Sequence, residues 1–173
     1  MRFMMNNTQL SIETLDRAQE RFLETLDKVT IEEANVMPEP LIKSITWLIW
    51  YTARMIDFQI SDLKNQSSLW IADVWTDRFN LFLPDDTADY KHTPEEAEQV
   101  KVADKALLVG YLDASNQLAK AYLTNLDEAT LSEIIDENYT PPVGRQARIV
   151  SIIDDAVMHS GQAIYTGRMV IGK

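Results

Sequence analysis

The stretch Arg148 to Met169, RIVSIIDDAVMHSGQAIYTGRM, decides the architecture. Ile149, Ile152, Ala156, His159 and Ala163 recur at steps of three and four residues, with Ile153, Val157 and Ile164 beside them. That spacing is the core-facing stripe of an amphipathic α-helix. His159, one of only two histidines in the chain, lies in the stripe and therefore points inward. Asp155 precedes it by four residues, one turn away on the same face. A carboxylate and an imidazole stacked in this way can share one ion or one substrate. The spacing alone favours a core histidine hydrogen-bonded to a neighbour.

Working outward, three more segments carry the helical period. From Ser11 to Val29, Leu15, Ala18, Phe22, Leu26 and Val29 form a stripe between charged residues. From Ser44 to Leu63, Leu48, Tyr51, Met55 and Phe58 form another, bordered by Ile45, Thr52 and Ile56, with Ser44 as its N-cap. Tyr51 falls on that stripe, so its hydroxyl needs a buried partner. Arg54 and Asp57 have the spacing of a helix-surface ion pair. From Lys105 to Leu126, Leu108, Tyr111, Leu112, Leu118, Ala119, Tyr122 and Leu126 repeat the pattern behind an Asp104 N-cap. Gly110 inside this segment marks a close contact.

The connections are also readable. Thr30-Ile-Glu-Glu33 and Thr93-Pro94-Glu95-Glu96 have the form of capping boxes, each opening a short helix. Pro38 and Pro40 bracket a loop, and Pro141-Pro142-Val143-Gly144 is a break. Only Leu131 to Ile135 can be argued as a strand. Residues 64–104 lack long periodicity but contain Trp70, Trp75, Phe79 and Phe82, which are expected to pack down onto the body. His92, beside a helix cap, is expected to be solvated. These segments predict an all-α protein: one domain over residues 1–173, a four-helix bundle with a long crossover between its second and third helices, those two running parallel.

Composition bounds the function. A net charge of −11 repels phosphate backbones and anionic membranes, which sets nucleic acid and membrane partners aside. There is no cysteine, which excludes a disulfide framework, a cysteine zinc cluster and a cysteine nucleophile. A thiol, if one takes part, must arrive as a co-substrate. The N-terminal MRFMMNNTQL has no continuous apolar core, so no signal peptide is expected. The apolar run Ile45 to Ala53 is too short to span a bilayer, and a cytoplasmic location is expected. No Gly-rich phosphate loop or nucleophile elbow is present.

Three stretches together resemble one family. They are Ser44-Ile-Thr-Trp-Leu-Ile-Trp-Tyr-Thr-Ala-Arg54, Asp89-Tyr-Lys-His-Thr-Pro-Glu-Glu96, and the run from Pro141 to Arg148 followed by His159-Ser-Gly-Gln162 and Tyr165-Thr-Gly-Arg168. In order and spacing they resemble the second helix, the approach to the third and the fourth helix of the DinB-like (DinB/YfiT) four-helix-bundle proteins. The resemblance implies a divalent metal, zinc or nickel, held by one ligand from the second helix and two from the fourth. It also implies a homodimer, and transfer of a low-molecular-weight thiol, activated by the metal, to an electrophile. Carried over residue by residue, the ligands are Tyr51, Asp155 and His159. Tyr51 and Asp155 stand where the family usually has histidine; only His159 is the usual residue. A neutral tyrosine, with an ordinary pKa of about 10, is a poor ligand. The metal site is therefore expected to be weakened, remodelled or empty. The alternatives are a metal-free bundle that binds a small ligand and a non-catalytic dimer acting through its surface.

Overall fold

In the computed structural model, which describes residues 7–172, four long helices form the body: α1 (Asn7–Asp27), α3 (Ile45–Leu63), α7 (Lys105–Thr124) and α8 (Arg145–Ile171). Most of the stretch read for a signal peptide, residues 1–6, lies outside the described residues. The short helices α2 (Ile31–Ala34), α4 (Leu69–Ala72), α5 (Trp75–Phe79) and α6 (Pro94–Glu98) sit in the connections.

Ion pairs and contacts fix the directions. Lys120 of α7 pairs with Asp16 of α1, and Asn116 donates to Gln19, so α1 and α7 run antiparallel. Arg148 at the start of α8 pairs with Asp62 at the end of α3, while Gly167 near the end of α8 lies beside Ile45 at the start of α3. Those two are antiparallel as well. Gly167 also lies beside Thr25, near the end of α1, so α1 and α8 run side by side in one direction. It follows that α3 and α7 are parallel, as the long crossover between them requires.

Four of the helices begin at a side-chain cap. Ser44 accepts from the Trp47 amide, Asp104 from the Ala106 amide, and both Thr30 and Thr93 form complete capping boxes. The stripe of α8 is buried as the spacing predicts: Ile149, Ile152, Ala156, His159 and Ala163 all lie in the core. The helix starts at Arg145, three residues before the expected Arg148, because Gly144 pairs with Ile134 and hands the chain directly into its first turn. The expected strand is real but shifted: β1 (Ile134–Asp136) pairs antiparallel with β2 (Val143–Gly144).

Three expectations for α3 and the crossover are corrected. α3 is buried nearly all round, because α7, α8 and the crossover cover it. Arg54 and Asp57 are accordingly 4% and 0% exposed, and they do not pair with each other. Phe58, placed on the inward stripe, is half-exposed and lies 4.5 Å from the Arg54 guanidinium. Of the four crossover aromatics, Trp70, Trp75 and Phe79 pack around Tyr111 with ring centroids 5.1–5.7 Å from it. Phe82 does not; it is 95% exposed. Gly110 does mark a close contact, since a Cβ there would come within 3.1 Å of the Trp75 ring.

Candidate functional site

The antiparallel register of α3 against α8 brings Tyr51 to Asp155 and His159. The Tyr51 hydroxyl donates to Asp155 Oδ2 at 3.2 Å. His159 Nδ1 hydrogen-bonds the Asp155 main-chain carbonyl at 2.8 Å and stands 3.2 Å from Asp155 Oδ1. Both of those partners are acceptors, so Nδ1 carries a proton, and in the neutral ring Nε2 is the nitrogen with the lone pair. The Tyr51 ring lies 4.8 Å from the His159 ring. Its other neighbour is Trp47, stacked at 4.7 Å and 10°. Burial, with the Asp155 charge and hydrogen bond and the Asp89 charge behind it, pushes the Tyr51 phenol well above its ordinary range. Tyr51 is therefore a fixed donor. The three residues named from the sequence meet in space.

A fourth residue, His92, joins this assembly against expectation. It is half-buried rather than solvated. The Trp47 indole donates to His92 Nδ1 at 3.1 Å. An indole N–H can only donate, so Nδ1 must accept, and Nε2–H donates to Thr87 Oγ1 at 2.8 Å. His92 also stacks on Trp50 at 5.8 Å and 16°. Burial holds its pKa below the ordinary value; Asp89 and Glu96 pull it up, and Lys43 and Arg54 add to the lowering. The sequence signal for this role was the Asp89–Glu96 stretch itself. Its partner Trp47 lies far away in the chain and is identified only by the fold.

Arg54 closes the other side. Its guanidinium pairs with Asp89 at 2.6 Å and donates to the Thr87 and Asp85 carbonyls at 2.9 and 2.8 Å. Between α3 and this tethered crossover lies a cleft of about 540 Å³, lined by Tyr51, Met55, Phe58, Thr87, Tyr90 and Tyr139 among others. A cleft of that size suits a small molecule.

The donor chemistry tests the implied metal. His159 Nε2 is a sound ligand. The Asp155 carboxylate has one oxygen bonded to the phenol and the other facing the imidazole N–H, where it acts as the orienting partner rather than as a free ligand. Tyr51 is held protonated. Among the described residues, no three His, Asp or Glu side chains gather into a group that could hold a metal ion. These residues satisfy one another and do not fit a three-ligand site.

Fold and site together define a helical bundle with parallel second and third long helices and a polar trio between α3 and α8. The DinB superfamily model matches residues 14–163, and the chain belongs to that superfamily. A conserved protein from Enterococcus faecalis, known by its crystal structure, is 62% identical, with a TM-score of 0.95 over 98% of this chain and 99% of that one. No curated protein matches the chain. Among the described residues, no helix is long and apolar enough to cross a membrane.

Proposed function

We propose that this chain binds a small molecule in the cleft beside Tyr51 and does so without a metal. The observation that carries the proposal is the closed hydrogen-bond set of Tyr51, Asp155 and His159. Asp155 fixes the tautomer of His159, so that the neutral ring carries its lone pair on Nε2, the arrangement in which a histidine takes a proton from a bound nucleophile. Tyr51 lines the cleft with its hydroxyl proton held by Asp155. The ligand class proposed is a low-molecular-weight thiol or similar protic nucleophile, brought in because the chain has no cysteine of its own. Any transfer to an electrophile would follow from deprotonation at Nε2. A homodimer in the cytoplasm is the accompanying proposal from the resemblance, and light scattering of the purified chain tests the dimer.

Elemental mass spectrometry of untagged wild type and His159→Ala, each incubated with zinc and nickel, tests the metal-free reading. We expect no near-stoichiometric metal in either. Saturation-transfer NMR with glutathione as the probe thiol should show contact that Ala88→Trp, filling the cleft, removes. One metal per chain, lost in His159→Ala, would overturn this reading in favour of the metal-activated thiol transfer that the resemblance implies.

A further inference from the structure

We propose that His92 is a protonation-sensitive latch that holds residues 84–93 against α3 and releases them from the Tyr51 cleft when its ring becomes charged. The inference rests on reading that cleft as the ligand site. Four side chains fasten the segment. Arg54 grips it through the Asp85 and Thr87 carbonyls and the Asp89 carboxylate, the Trp70 indole donates to the Asp85 carbonyl at 3.1 Å, and Lys43 Nζ donates to the His92 carbonyl. The fourth is His92. Its ring accepts the Trp47 indole proton on one edge and donates to Thr87 on the other, so it joins α3 to the same residue whose carbonyl Arg54 holds.

Protonation acts on these two edges differently. The Nε2–H bond to Thr87 survives. At Nδ1, however, the imidazolium would present a proton to an indole N–H that has nothing but a proton to offer. The ring must leave Trp47, and Thr87, Ala88, Asp89 and Tyr90, which form one wall of the cleft, move with it.

The charged surroundings of His92 come from three elements. Lys43, before α3, and Arg54 on α3 oppose a second positive charge, and Lys43 Nζ also donates to the His92 carbonyl at 3.3 Å. Asp89 in the crossover and Glu96 on α6 favour it. Burial outweighs both carboxylates, so the closed state prefers the neutral ring. The sign follows. A group depressed in the closed state keeps the latch shut above the open-state pKa, about 6.5 for a solvated histidine, and loosens it as pH falls below that value. One proton linked in this way raises the opening equilibrium by up to about 10-fold between roughly pH 7.5 and 5.5.

Hydrogen-exchange mass spectrometry of the full chain, corrected for intrinsic exchange rates, tests the latch. The protection of residues 84–93 should fall over that range in the wild type, by up to about 10-fold. His92→Gln can accept from Trp47 and donate to Thr87 without titrating, and should stay protected at both pH values. His92→Phe should be unprotected at both. Equal protection of the wild type at the two pH values, or an equal fall in His92→Gln, would overturn the proposal. The measurement uses the ligand-free chain. A metal found on His159 would overturn the cleft reading while leaving this result to stand or fall separately.

Discussion

The bundle holds two carboxylate–tyrosine pairs, and they are built for opposite ends. Asp57 is fully buried between α3, α4 and α7. One of its oxygens accepts the Leu69 amide at 2.7 Å and the Ser61 hydroxyl at 3.2 Å; the other accepts the Trp70 amide and the Tyr111 hydroxyl, both at 2.8 Å. It thereby does for α4 what its own N-cap, Ser68, does not, since the Ser68 side chain makes no capping bond. Asp155 has one donor on Oδ2, the Tyr51 hydroxyl, and the His159 ring N–H beside Oδ1. The first pair is saturated and dry. The second is partly satisfied, and its tyrosine lines a cleft. A buried charge with every lone pair claimed fastens structure; one that keeps a neighbour reactive can do chemistry.

This contrast can be broken most directly by truncation. Asp57→Ala strands two amides and a phenol in the core and should lower the unfolding free energy by about 4 kcal/mol, whereas Asp155→Ala should cost only about 1 kcal/mol. Urea denaturation of the two variants side by side checks this, and equal losses would erase the distinction. A finer cut removes only the hydroxyls. Tyr111→Phe takes one donor from a fully buried carboxylate and should cost about 2 kcal/mol, against roughly 0.5 kcal/mol for Tyr51→Phe, whose carboxylate partner can rehydrate. The smallest effect is spectroscopic. Both phenols are pushed up by burial first and then by their carboxylates. A phenol raised in the folded state adds stability below its unfolded pKa of about 10 that is lost as pH rises through the folded value. An alkaline ultraviolet titration of the six tyrosines should therefore show two that ionise last, with Tyr111→Phe and Tyr51→Phe each removing one of them.

The parts of this molecule that obey local rules were legible in the residues. The period of α8, the Asp155–His159 spacing, the need of Tyr51 for a buried partner and the capping boxes all depend on neighbours within a turn or two. The parallel pairing of α3 with α7 was legible too, because a crossover over residues 64–104 permits it. What could not be read depends on distant partners. Arg54 and Asp57 look like a surface pair until the crossover folds over them and supplies Asp89 to one and the α4 amides to the other. His92 looks solvated until Trp47 is brought to its Nδ1. Phe82 has the same apolar character as Phe79, yet only the latter meets Tyr111.

The side-by-side packing of α1 and α8 has a consequence for how the protein comes into being. Ile152 and Ala156 of α8 share one core cluster with Leu15 and Ala18 of α1. During synthesis, the apolar stripe of α1 waits, uncovered on that side, until almost the whole chain has left the ribosome. Contacts of such long sequence separation slow folding and leave sticky surface open to other molecules meanwhile. Asp155 and His159 lie on that same helix, so the candidate site exists only once α8 has docked on α3.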